Sequence, residues 1–237
     1  VMISIPYGVT EVEKRAVEDV TLEAGAQSVA LIEEPFAAAI GAGLRVEDAR
    51  GSMIIDIGGG TTEVAVISLG GIVLSNSIKI AGDTFDESIA AYIKNNFHVL
   101  IGDVTAEELK KNLGSALEAT DRGAMEIRGR NLQNGLPAIL TVNSAQIREA
   151  MSEDISRIID CIRNTLETTP PELSSDIYDS GIMLTGGGAL IAGLAQVIAQ
   201  TTGIRVIVAK SPLDCVAVGI GHVIESDFNG AVSFRNR

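Results

Sequence analysis

Apolar runs, tight turns and amphipathic stretches follow one another along the whole chain. This alternation confines it to an α/β architecture with several parallel strand–helix units. Residues 1–5 read as a strand ended by Pro6-Tyr7-Gly8. Thr10-Glu11-Val12-Glu13 has the form of a capping box, in which the Thr oxygen accepts from the third helical amide and Glu13 reaches back. The helix it opens is expected to bury Val12, Ala16, Val17 and Val20 and to stop near Gly25. A short strand at 29–32 leads into an Ala-rich helix beginning at Pro35. Strands follow at 52–57, 62–69 and 72–80, the last two joined by Gly70-Gly71.

Beyond Gly82, Phe85, Ile89, Ile93 and Phe97 recur at the spacing of one helix face. A second capping box, Thr105-Ala106-Glu107-Glu108, is expected to open a helix carrying Leu109, Leu113 and Leu117. Residues 125–140 read as a hairpin around Asn134-Gly135. Ile147, Met151, Ile155, Ile158, Ile162 and Leu166 mark a long helix halted by Pro170-Pro171. A strand at 181–185, a helix at 190–201, a strand at 204–209 and a helix at 214–224 complete the pattern. Residues 85–145 are more charged than their surroundings and read as a small subdomain inserted into a larger one.

Composition removes several classes of function. With 3% aromatic residues and no Trp, the core must be aliphatic. The net charge of -13 opposes nucleic-acid binding, which needs a basic face for phosphate. The small cluster Arg128-Gly129-Arg130 reads as a solvated hairpin surface. Cys161 and Cys215 are far apart with no CxxC, and His98 and His222 are isolated, so no zinc-site spacing exists. No apolar run reaches the ~18 residues of a membrane span, and residues 1–5 lack the basic lead of a signal peptide.

Three glycine-rich or acidic elements carry the chemistry. Asp56-Ile57-Gly58-Gly59-Gly60-Thr61-Thr62 lies between two strands, where consecutive amides can converge on an anion and the Asp can hold a hydrated divalent cation. A plain hairpin turn with an Asp at its mouth is the other reading. Gly186-Gly187-Gly188 follows a strand and precedes a helix, a junction that admits a ligand ring or serves only as a tight turn. In Ile32-Glu33-Glu34-Pro35 a carboxylate at a strand end can polarise water, or can simply cap the helix. No Walker A loop, G-x-G-x-x-G fingerprint or G-x-S-x-G elbow is present.

Taken in order, these elements resemble the actin-like ATPases: actin, the seventy-kilodalton heat-shock chaperones and the sugar kinases. Ile5-Pro6 through Glu34-Pro35 and Ala37-Ala38-Ala39 resembles the first connecting motif, and Asp56 to Thr61 the second phosphate motif. Leu184-Thr185-Gly186-Gly187-Gly188 resembles the adenosine motif, and Ala217-Val218-Gly219-Ile220-Gly221 the second connecting motif. Within that superfamily the chain is similar to the MreB-type bacterial actins. The similarity extends through Ile127-Arg128-Gly129-Arg130-Asn131-Leu132, Asn134-Gly135-Leu136-Pro137 and Pro170-Pro171-Glu172-Leu173, covering essentially the whole chain.

The resemblance implies an actin-like (ribonuclease H-like) fold of two lobes around a nucleotide cleft. Residues 1–50 and 213–237 would form part of the first lobe, 51–84 and 146–212 the core of the second, and 85–145 its inserted subdomain. It also implies an opening Asp-Leu-Gly-Thr-type phosphate loop that nothing here matches, so the chain is expected to lack one phosphate clamp and to have weak or no ATPase activity by itself. For the complete protein the implied cofactors are ATP and Mg²⁺. Glu34 would be the catalytic carboxylate, with Asp56 positioning Mg²⁺ through water. Gly58, Gly59, Gly60, Thr61 and Thr62 would hold the phosphates, Glu107, Glu108 and Lys110 the ribose and adenine, and Gly186, Gly187, Gly188 and Ala189 would lie beneath the adenosine. Asn112 and Val218 stand where some members have Glu and a basic residue, so the resemblance does not fix the details of the adenine contacts. The implied function is an ATP-dependent cytoskeletal filament that organises cell-wall synthesis and maintains rod shape. Its partners would be other copies and cell-wall elongation proteins, and its place the cytoplasmic face of the cell membrane. A small-molecule kinase and a chaperone-type ATPase of the same superfamily are the alternatives.

Overall fold

The structure, a computed structural model, describes residues 1–226 and the backbone of 232–236. Its centre is a five-stranded sheet built from β3 (Ser52–Ile57), β4 (Thr62–Ser68), β5 (Gly71–Ile78), β9 (Ile182–Thr185) and β10 (Val206–Val208), in the order β10-β9-β3-β4-β5. β3 runs parallel to β9 and antiparallel to β4. Both faces of this sheet are covered, which explains why β3 and β4 read as nearly continuous apolar runs. One face, with Met53, Ile55, Ile57, Val64 and Val66, packs on α5 (Ser144–Thr168) and α7 (Leu194–Thr202). The other, with Ile54, Ala65 and Ile67, packs on α2 (Glu34–Gly41) and α8 (Cys215–Glu225).

A second sheet pairs β1 (Met2–Ile5) in parallel with β2 (Ser28–Glu33), and β11 (Val232–Asn236) lies antiparallel to β2. Helix α1 (Glu11–Glu23) lies against it and opens with the expected capping box, the Glu13 amide donating to Thr10 Oγ1 and the Thr10 amide to Glu13 Oε2. Its buried face differs from expectation. Val12 and Val20 are 77% and 66% exposed and Ala16 is also exposed, whereas Lys14, Val17, Glu18, Thr21 and Leu22 form the inward stripe. That second set also follows helical spacing, and it places Val17 and Leu22 on Ile5, Val29 and Leu31.

A third sheet, β6 (Val99–Leu100), β7 (Ala124–Asn131) and β8 (Pro137–Asn143), lies wholly between residues 99 and 143 and contributes no strand to the central sheet. It turns at Asn134-Gly135, where Gly135 has φ +75. Two helices flank it, α3 (Gly82–Phe97) and α4 (Asp103–Leu113). α4 begins before the predicted capping box: Gly102 is its N-cap, Thr105 falls in the first turn, and Leu117 lies past the helix end. Pro170-Pro171 halts α5 as expected but also starts a helix absent from the sequence reading, α6 (Pro171–Ser180), because proline suits the first helical position. The helix expected at 190–201 is instead a 3₁₀ turn (Gly187–Leu190) followed by α7. Of the span 213–237 assigned to the first lobe, residues 227–231 and 237 lie outside the described residues.

Candidate nucleotide site

The turn between β3 and β4 is the centre of the site. Gly58 N donates to Thr61 O at 2.9 Å and closes the loop. The carbonyls of Gly58 and Gly59 accept from Gly82 N (3.1 Å) and Asp83 N (2.8 Å), the first amides of α3. With its carbonyls engaged there, the turn leaves the amides of Gly59, Gly60 and Thr61 without an intramolecular acceptor among the described residues, and Gly59 and Gly60 are exposed. Three neighbouring free donors of this kind can receive an anion. Thr62, expected among the phosphate contacts, is fully buried and donates its hydroxyl to Ile80 O at 2.6 Å, so it braces the strand from inside.

Asp56 closes β3 and is 8% exposed. Its Oδ1 accepts from Thr185 Oγ1 at 2.9 Å, a hydrogen bond that spans β3 and β9. Burial pushes the Asp56 carboxyl up, and the Thr185 donor partly offsets this. Glu34, the first residue of α2, is half-buried, and burial followed by the charge of Asp56 raises it too. Glu33 is raised by burial, with Lys14 opposing.

A fourth carboxyl, Glu63, escaped the sequence reading. It lies opposite Asp56 on β4, is 1% exposed, and accepts from Tyr7 N through Oε1 at 2.9 Å. Burial raises its pKa to about 7; the Tyr7 bond lowers it, while Glu34, Asp56 and Glu33 raise it. The structure thus brings the ends of β2, β3 and β4 together into one acidic group. Among the described residues no set of three or more His, Cys, Asp or Glu side chains forms a metal cage. A single carboxylate such as Asp56 suits Mg²⁺, which keeps most of its waters and takes further oxygens from phosphates.

Gly186 and Gly188 sit where β9 leaves the sheet. Gly186 has φ +78, and a Cβ there would overlap Ile57 O; one on Gly188 would overlap the Ile57 side chain. These glycines are therefore required by close approach to the end of β3 as well as by any ligand. Gly187 is half-buried, and Ala189 is buried behind the turn. On α4, Glu107 pairs with Lys111 at 2.7 Å rather than with Lys110, and Glu108 is exposed. Lys110 Nζ instead donates to Gly82 O (2.8 Å) and pairs with Asp86 Oδ2 (2.6 Å), beside the glycine turn.

The family model described as MreB/Mbl protein matches residues 1–229. The chain belongs to the MreB/Mbl family. It is 50% identical over 235 residues to the cell shape-determining protein MreB of Escherichia coli (strain K12), covering 99% of this chain and 68% of the relative. It is 45% identical over 225 residues to the cell shape-determining protein Mbl of Bacillus subtilis (strain 168), covering 95% and 68%. The crystal structure of MreB5 of Spiroplasma citri bound to ADP superposes with a TM-score of 0.92 at 41% identity, covering 94% of this chain and 68% of that one. A MamK double helical filament matches with a TM-score of 0.79 at 22% identity, which supports the shared actin-like fold. The MreB/Mbl chain therefore has the α/β actin-like fold that its motifs imply.

Proposed function

We propose that this MreB/Mbl chain serves an ATP-dependent, filament-forming cytoskeletal protein that determines cell shape. The observation that carries this reading is the β3–β4 turn: three free amides adjoin a buried Asp56, and burial followed by the charge of Asp56 raises the Glu34 carboxyl. MreB5 structures bound to ADP and to AMPPNP support a nucleotide as the ligand.

When bound, Mg-ATP supplies the phosphoryl group and its charge neutralisation. The chain's own residues position and polarise. The amides of Gly59, Gly60 and Thr61 hold terminal phosphate oxygens, and donors fixed in advance cost no reorganisation during reaction. Asp56, oriented by Thr185, would hold Mg²⁺ through water. Glu34 orients the attacking water and takes its proton, a task suited to a carboxyl made more basic by burial. Lys110, together with Glu107 and Glu108, lies on the side for ribose and adenine, and Gly186 to Ala189 form the floor.

The division into lobes follows from this reading. Residues 1–50 and 213–237 belong to the first lobe, 51–84 and 146–212 to the second, and 85–145 to its inserted subdomain. Among the described residues no helix is long and apolar enough to cross a membrane. We place the protein at the cytoplasmic face of the cell membrane, assembled with other copies and with cell-wall elongation proteins. Electron microscopy of the purified protein with Mg-ATP tests the reading: nucleotide-dependent filaments are expected. A monomer that phosphorylates a small molecule would favour a kinase and overturn it.

A further inference from the structure

Helix α3 starts in an unusual way. Ala81, its N-cap, has no side-chain acceptor, and the first amides are taken by the glycine-turn carbonyls, Gly82 N by Gly58 O and Asp83 N by Gly59 O. The Gly82 carbonyl is held in turn by Lys110 Nζ at 2.8 Å. Asp86, one turn further along α3, fixes that ammonium at 2.6 Å. The Lys110 and Asp86 side chains are only 14% and 16% exposed. Asp86 Oδ1 is buried with no partner among the described residues, so the compensation for burying this carboxyl comes through Oδ2 and Lys110. Burial raises Asp86, and the Lys110 hydrogen bond and charge oppose it.

These contacts form one continuous path. It runs from the turn carbonyls through the Gly82 peptide to Lys110 on α4, which packs in one core with Ile127 and Val142 of the small sheet. A partly buried, hydrogen-bonded ion pair is a firmer link than an exposed one, because breaking it leaves a charge that water only partly compensates. A displacement of Gly58 or Gly59 therefore acts on Gly82 and, through Lys110, on α4.

We propose that Asp86 is a positioning residue. It clamps Lys110 onto the Gly82 carbonyl, so that the glycine turn, α3 and α4 move as one body and the binding of a nucleoside triphosphate's terminal phosphates at the turn is transmitted to the β6–β7–β8 sheet. The transmission rests on the phosphate-binding reading of the turn; the clamp itself does not.

The test is amide hydrogen exchange resolved by residue, with and without Mg-ADP or Mg-AMPPNP, in the wild type, Asp86→Asn, Asp86→Ala and the paired variant Asp86→Leu/Lys110→Met. The paired variant replaces the ion pair by apolar groups of similar length and keeps the fold even if Asp86→Ala does not. Without nucleotide, exchange at Gly82 and Asp83 is expected to rise about tenfold in Asp86→Ala and in the paired variant, and only a few-fold in Asp86→Asn, which keeps an acceptor; ten-fold corresponds to about 1.4 kcal/mol. Ile55 and Leu184 in the central sheet serve as unaffected references. Adding nucleotide to the wild type is expected to increase protection in β7 and β8, and Asp86→Ala, at nucleotide concentrations shown to saturate it, to lose that response. Wild-type protection at Gly82 and Asp83 in both Asp86→Ala and the paired variant would overturn the clamp. A wild type that binds nucleotide without any response in β7 and β8 would overturn the transmission. A wild type that binds no nucleotide would remove the phosphate reading and the transmission with it, and the clamp would still be decided by the exchange without nucleotide.

Discussion

Tyr7 N donates to Glu63 Oε1 at 2.9 Å, joining the exit of β1 to the middle of the acidic group at the head of the central sheet. β1 pairs with β2 so that Ile5 lies opposite Glu33, which makes this link a support for the segment that delivers Glu34. The second Glu63 oxygen is buried without a partner among the described residues. A carboxyl held this way favours its neutral form.

That preference gives Glu63 a definite pH signature. Its folded pKa of about 7 lies above the usual glutamate value of 4.5. The folded state thus binds a proton that the unfolded state has released, and its contribution to stability is fully present below pH ~4.5 and is lost as pH rises through about 7. The difference amounts to on the order of 3 kcal/mol. Glu63→Gln keeps an acceptor for Tyr7 N and removes the charge. Urea unfolding should show the variant more stable than wild type at pH 8 and level with it near pH 4.5. Stability curves that run parallel across this range would mean that Glu63 is not held neutral.

In the complete protein, Glu34→Ala should slow phosphate release at least about tenfold while ATP-dependent assembly persists, because positioning a general base typically contributes about 10²–10⁴-fold to the chemical step. Release is to be measured at matched filament mass. If Glu34→Ala releases phosphate at the wild-type rate, the role passes to Glu33, one position earlier and also raised by burial.

Much of the fold was legible because its signals are local. The triple glycine between two apolar strands, the Thr10 capping box and the Asn134-Gly135 hairpin all depend on residues a few positions apart, and all are found where expected. The face of α1 was not legible. Val12, Ala16 and Val20 satisfy helical spacing as well as Lys14, Val17, Glu18, Thr21 and Leu22 do, and only the position of β2 selects the second set. α6 was missed because Pro171 breaks one helix and begins another in the same place. Glu63 and Asp86 were missed for a different reason. Each looks like an ordinary polar residue, and its partner, Tyr7 for one and Lys110 for the other, is 56 or 24 residues away.

Thr185→Val tests how Asp56 is oriented. Valine matches threonine in shape but cannot donate to Asp56 Oδ1. Leaving a buried acceptor without its donor costs about 1–3 kcal/mol. The loss should appear in urea unfolding at neutral pH, and Mg-nucleotide affinity should fall with it, since the carboxylate is no longer fixed. Equal stability and affinity would show that the Thr185 hydroxyl is replaceable by solvent.

The final prediction concerns the glycines of α8, which the motif comparison treats as one unit and the structure separates. A Cβ on Gly219 would overlap the Ala37 carbonyl of α2, and one on Gly41 of α2 would overlap the Cys215 carbonyl of α8. The helices cross at backbone distance, and neither contact can be relieved by turning a side chain. Gly219→Ala must therefore push α2 and α8 apart, and overpacking of this kind typically costs about 1–3 kcal/mol. Because Glu34 is the first residue of α2, the same shift displaces the carboxyl proposed to act on water, so phosphate release should slow as well. Gly221 is two positions further along α8, and a Cβ there meets nothing within 4 Å. Gly221→Ala should instead stabilise by about 0.5–1 kcal/mol, because alanine loses less backbone freedom than glycine in a helix. Thermal unfolding of the two variants is expected to move in opposite directions. A Gly219→Ala protein that melts at or above the wild-type temperature would mean that α2 and α8 do not meet as closely as described.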